Sequence, residues 1–135
     1  MMDKETLRKV KITVIKTTFN EDLAEAYAVP GYPPCLLHAE GQVFYSNGWQ
    51  KPSGLCDYAW ACMREFVLAV AQGCGHILGK GNWLKEKGMA IVSCNDGIKP
   101  VIFKVEATDL AADVINGDIS RAHERHMNPE DTSAL

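Results

Sequence analysis

At 135 residues, 47% hydrophobic and 23% charged, the chain has the material for one domain with a real core and is too apolar for disorder throughout. A formal net charge of −3, with no Lys/Arg run longer than Arg8-Lys9, excludes the concentrated basic face that nucleic-acid binding needs. The charged N-terminus has no apolar leader, and the longest apolar stretch, Phe66 to Ala71, is far too short for a bilayer. The odd count of five cysteines then points to free thiols in a reducing cytoplasm.

Val10 to Lys16 alternates apolar and polar and is rich in β-branched residues, so it reads as the first strand. Asn20 is placed to cap a short helix from Glu21 to Ala28, which Pro30-Gly31 stops. Tyr32-Pro33-Pro34-Cys35 is a stiff loop, because each proline fixes its own φ and restrains the residue before it. Gln42 to Tyr45 predicts a short strand between Gly41 and Asn47-Gly48. Cys56 to Gln72 carries Trp60, Met63, Val67, Val70 and Ala71 at three- and four-residue steps, widened by Ala59, Phe66 and Leu68. That pattern predicts a helix buried over most of its circumference, ended by Gly73.

Residues 73–88 form a glycine-rich connection whose spacing matches neither GxGxxG nor the Walker pattern, so it is read as a lid or a plain connector rather than a phosphate cradle. Met89 to Cys94 and Pro100 to Glu106 predict two strands hairpinned around Asn95-Asp96-Gly97. Residues 108–135 set Asp109, Asp113, Asp118, Glu124, Glu130 and Asp131 against Arg121 and Arg125, a net −4, while the first 107 residues are nearly neutral. That break predicts a core domain over 1–107 and an acidic extension over 108–135, helical from Leu110 to about His126 and then frayed. The fold class is therefore α+β: a mainly antiparallel sheet of about four strands on one long buried helix, plus a C-terminal helical extension.

The chemistry-bearing residues cluster at element ends. Cys56 begins the long helix, where peptide dipoles favour thiolate over thiol, although Asp57 beside it would oppose this; the plain alternative is a small buried hydrophobe at a tight junction. Cys94 precedes a turn containing Asp96, whose carboxylate could act as a base but more readily bonds its own turn. Cys35 stands in the proline loop. Cys62, inside the helix, reads as packing. Trp60, one turn past Cys56, could wall a pocket there, with core packing the commoner role. Cys74 and His76 make a weak metal pair, His123 and His126 read as a solvated pair, and His38 shows no partner in the sequence.

Lys11 to Lys16, Phe19-Asn20-Glu21-Asp22-Leu23, Cys35, Glu40 to Phe44, Pro52 to Trp60, and Cys94 to Phe103 together resemble an uncharacterised family of small one-domain proteins widespread in anaerobic bacteria and archaea. The resemblance covers roughly residues 10–107. It implies that Cys35, Cys56, Trp60, Cys94, Asp96, Gly97 and Pro100 belong to the family's pattern, and it carries no reaction. The chain departs from the family in the loop 73–88 and in residues 108–135.

Two functions follow as expectations. In the first, loops bring Cys35, Cys56 and Cys94 to one end of the sheet for thiol redox or nucleophilic chemistry on a small molecule. Cys56 is then the nucleophile or first metal ligand, Cys35 and Cys94 are resolving thiols or further ligands, Asp96 is a base or orienting group, and zinc or iron is the fitting metal if all three thiolates converge. In the second, the chain is a non-catalytic binding module or a homo-oligomeric assembly module, in which these residues hold turns and the tail makes subunit contacts.

Overall fold

The computed structural model describes residues 7–75 and 84–112. In chain order the elements are β1 (Arg8–Thr17), α1 (Glu21–Tyr27), β2 (Val43–Ser46), α2 (Asp57–Ala71), β3 (Met89–Ser93) and β4 (Val101–Ala111). The strands form one antiparallel sheet in the order β2-β1-β4-β3. Among the described residues the fold is thus α+β, with a four-stranded antiparallel sheet and two helices.

Alternation decides which face is buried. Val10, Ile12 and Val14 of β1, Val101, Phe103 and Val105 of β4, and Ala90 and Val92 of β3 point to the same side. α2 lies on that side and supplies Ala59, Met63, Val67, Val70 and Ala71. Burying each of the larger side chains contributes roughly 1.5–3 kcal/mol. The helix is buried along this single stripe. Tyr58 and Leu68 are exposed, and Trp60 and Phe66 are only half-buried. Burial over most of its circumference is therefore corrected: the sheet covers one side of α2, and the residues that widened its apolar face sit on the flanks.

Two bulges shape the central pair of strands. Between Val14↔Phe103 and Lys16↔Ile102, β1 carries the extra residue Ile15, which is left 42% exposed. Between Val10↔Ala107 and Arg8↔Ala111 the excess lies on β4. There the Thr108 hydroxyl donates to the Lys9 carbonyl at 2.7 Å and accepts the Leu110 N–H at 3.3 Å. Beyond it the Ala112 N–H donates to the Leu7 carbonyl at 2.8 Å, and Ala112 is fully buried. The core therefore runs past the expected boundary at 107. Leu110 and Ala111 belong to a strand rather than opening a helix, and the rest of the expected helical extension lies outside the described residues.

The ends of α2 are set by local chemistry. Gly73, at φ 88°, donates its N–H to the Val70 carbonyl, and the Cys74 N–H donates to Ala69, the paired bonds of a Schellman stop. The same helix end presses on the turn after β2. A Cβ built on Gly48, at φ 109°, would stand 2.8 Å from the Ala71 Cβ, so only glycine fits there. The Asn47 carboxamide oxygen accepts the Trp49 and Gln50 N–H groups, which lets this buried turn satisfy its own polar atoms. No helix among the described residues is long and apolar enough to cross a membrane.

Candidate functional site

The opposite end of the sheet gathers the chemistry. β1 and β3 finish there, and β2, β4 and α2 begin there. Three pieces of chain meet at that end: the loop 28–42, the hairpin loop 94–100 and the start of α2.

The hairpin loop is tied back to β1 and α1. The Thr18 N–H and hydroxyl both donate to the Pro100 carbonyl, at 3.0 and 2.6 Å, and the Asn20 N–H donates to Ile98 at 2.7 Å. The Asn20 side chain does not cap α1. Its amide nitrogen donates to the Gly97 carbonyl at 2.8 Å, so the expected N-cap is replaced by a cross-link between loops. Asp96 bonds its own turn, with Oδ1 accepting the Ile98 and Lys99 N–H groups at 2.9 and 3.1 Å. Its Oδ2 accepts the Tyr32 hydroxyl at 3.4 Å, which joins the hairpin to the proline loop. Partial burial tends to raise the Asp96 pKa, but the two backbone N–H groups, the Lys99 charge and the Tyr32 hydroxyl outweigh it and hold the carboxyl below its ordinary value. A carboxylate so engaged is a poor base and a good orienting group.

The Lys99 ammonium lies 4.7 Å from the centroid of the Tyr32 ring. Hydrogen bonding to Tyr32, with the Asp96 carboxylate nearby, outweighs the cost of desolvation and keeps the Lys99 pKa above its ordinary value.

His38 is the buried polar centre of the site, 5% exposed between the rings of Phe44 and Phe103, each met edge-on at 5.6 Å. Its Nε2 accepts the Cys56 backbone N–H at 3.2 Å. Nδ1 therefore carries the ring proton and donates it to Gln42 Oε1 at 2.9 Å. The same Gln42 oxygen accepts the Ala39 N–H at 3.1 Å, which fixes the orientation of the amide. The imidazole locks the start of α2 onto the loop before β2. No periodicity marks His38, because its partners are a backbone N–H far along the chain and a glutamine in the next turn; the His-x-x-x-Gln spacing is the one local trace.

Cys56 stands at the N-cap of α2 without a side-chain capping bond. Asp57, expected to oppose a thiolate there, is paired with Lys51 at 2.6 Å, and Lys51 also donates to the Leu55 carbonyl at 2.8 Å. Cys94 follows β3, and its sulfur accepts the Val101 N–H at 3.3 Å. Cys35, Cys56 and Cys94 are half-buried free thiols packed on the rim of the core at this end. Trp60 is half-buried against the same core, and Cys62 lies half-buried inside α2. Among the described residues, no three His, Cys, Asp or Glu side chains are gathered to hold a metal ion. Cys74 is exposed, and His76, His123 and His126 lie outside the described residues.

Compared with family models, curated proteins and solved structures, the chain matches none.

Proposed function

We propose that this end of the sheet is a thiol-dependent site for redox or nucleophilic chemistry on a small molecule in a reducing compartment. The observation that carries the reading is the pair of long-range bonds that cross the site, Cys56 N–H to His38 and Tyr32 hydroxyl to Asp96. They fix three thiol-bearing segments against one another, as a preorganised site requires. Cys56, at a helix start with its acidic neighbour paired to Lys51, and Cys35, in the proline-stiffened loop, are the attacking thiols. Cys94 serves as resolving thiol, and Asp96 orients the hairpin. Ligation of zinc or iron by the three sulfurs draws less support, since no three donors are gathered among the described residues; metal analysis of anaerobically purified protein tests it.

Mild oxidation tests the thiol reading. Diamide takes two protons and two electrons from a thiol pair, becoming the hydrazine while an S–S bond forms. The expected product is an intramolecular disulfide between two of Cys35, Cys56 and Cys94, mapped by peptide mass. Disulfides formed only through Cys62 or Cys74, or only between molecules, count against it.

A second reading, assembly with further copies of the chain, draws on apolar side chains left in solvent beside the site. Leu36 is 85% exposed, and Tyr27, Val29 and Leu37 are exposed near it. It expects a solution mass above the monomer that falls to the monomer in Leu36→Asp, with thiols of ordinary reactivity.

A further inference from the structure

The sheet has two faces, and α2 packs on one of them. The other carries the alternate residues of all four strands. In one row across it stand Tyr45, Lys11, Glu106 and Met89, and in the next Val43, Thr13, Lys104 and Ile91. Val43, Tyr45 and Ile91 are exposed there, whereas a sheet face that meets water is ordinarily polar. The charge on this face is one-sided. The Lys9 ammonium lies 4.3 Å from the centroid of the Tyr45 ring, and Lys16 pairs with Ile102 one row beyond Lys104. The strands thus bring Lys9, Lys11, Lys16 and Lys104 together against Glu106, a net +3 that the sequence alone scatters. Glu106 pairs with Lys104 at 3.5 Å, and among the described residues no carboxylate stands at ion-pair distance from the other three. A half-open cleft of about 320 Å³, lined by Leu84, Lys85, Glu86, Met89 and Lys104, opens at the β3 edge of the same face.

We propose that residues 113–135 dock on this open face of their own sheet, with their carboxylates over Lys9, Lys11, Lys16 and Lys104 and their apolar side chains over Val43, Tyr45 and Ile91. The segment matches the face in both respects. It carries Asp113, Asp118, Glu124, Glu130 and Asp131 against Arg121 and Arg125, a net −3, together with Val114, Ile115 and Ile119. It also starts in the right place, because it follows Ala112 directly after β4, one of the two central strands. Reach is no obstacle: even at a rise of about 1.5 Å per residue the segment spans roughly 35 Å, about the length of β4 itself. Lys9, Lys11 and Lys104 are half-buried, so their stems lie along the sheet and their ammonium groups border its apolar patches. Tethering decides between this occupant and others. A segment joined to the sheet has an effective concentration on the order of millimolar, well above that of a second copy or a free polyanion in dilute solution. The face lies apart from the thiol-bearing loops, so this docking stands independently of the thiol reading.

Carbodiimide cross-linking of the full chain reads the docking directly. It joins a carboxylate to a touching amine as an amide, and the carbodiimide takes up the water lost and becomes the urea. In a mixture of nitrogen-15-labelled and unlabelled protein, peptide mass separates links within a chain from links between chains. The expected result is within-chain links from the acids of residues 113–131 to Lys9, Lys11, Lys16 or Lys104. They should outnumber links from the same acids to Lys51 and Lys99 by about threefold or more, and fade as ionic strength rises. A second measurement follows lysine acetylation in the variant Asp113→Asn, Asp118→Asn, Glu124→Gln, Glu130→Gln, Asp131→Asn. The four lysines of the face should acetylate about threefold faster than in the parent at low salt, while Lys51 and Lys99 keep their rates. Tail links spread evenly over all lysines, or face lysines that acetylate equally in parent and variant, overturn the proposal. Links found only between chains overturn it in favour of a second copy. A short single-stranded oligonucleotide that binds parent and variant equally well shows an uncovered face and overturns it too.

Discussion

The imidazole of His38 accepts the backbone N–H of Cys56 at 3.2 Å, so a buried histidine in the loop before β2 positions the N-cap residue of the core helix. This bond carries much of the geometry of the site. It sets where Cys56 stands relative to the loop that bears Cys35.

His38→Phe keeps an aromatic ring between Phe44 and Phe103 and removes both polar partners. The Cys56 N–H then loses its acceptor, and Gln42 loses the ring donor. Leaving such groups unsatisfied costs about 1–3 kcal/mol, so the urea midpoint is expected to fall by that equivalent. Cys56 should also alkylate at a rate nearer its unfolded value. A variant as stable as the parent would mean that water replaces the imidazole at no cost.

Gly48→Ala forces a Cβ to 2.8 Å from the Ala71 Cβ, in a left-handed backbone, at a buried position facing a fully buried residue. Overpacking and strain together are expected to cost about 2–4 kcal/mol in chemical denaturation. Gly31→Ala is the matched control, since its φ is 79° and open space surrounds its Cβ position. It carries the backbone strain alone and should lose about 1 kcal/mol.

Much of this fold is written in local pattern. Alternation in Val10–Lys16 and Val101–Val105 gives the central strands, and the steps Met63, Val67 and Val70 give the buried stripe of α2. The continuation of β4 was hidden because a bulge at Thr108 breaks the alternation, while Leu110 and Val114 stand four apart in the sequence, the spacing of a helical face. The placement of Cys56 and Cys94 at element ends was legible because Gly and turn residues punctuate the chain beside them, whereas Cys35 stands in the middle of the loop between α1 and β2. The parts of the site that join distant segments were not. His38, Tyr32 and Lys99 act through bonds and ring contacts that no single-chain period encodes, and Asn20 looks like a cap until Gly97 is folded against it.

Asp96 links acidity to stability. Its folded-state pKa is depressed, so its contribution is present above the unfolded value and is lost as pH falls through the folded one. The expected window opens below about pH 4, near the ordinary aspartate value. Asp96→Asn should flatten the stability profile in that window while remaining less stable than the parent at pH 7. Parallel acid profiles for parent and variant would show that the hairpin loop does not depend on the carboxylate charge.

Cys56 caps the start of α2, and Cys62 lies inside it. A thiol at the N-cap stands at the positive end of the helix, and one inside the helix does not. Iodoacetamide at pH 7 is therefore expected to label Cys56 severalfold faster than Cys62. Equal rates would return Cys56 to a packing role.

The thiol site itself is tested most directly by comparing each cysteine in the native protein with the same cysteine in the unfolded chain. Burial alone can only slow a thiol, so a native rate above the unfolded rate requires activation by the fold. The account predicts that excess at Cys35 or Cys56, and none at Cys62. Native rates below the unfolded rates at Cys35, Cys56 and Cys94 alike would contradict it.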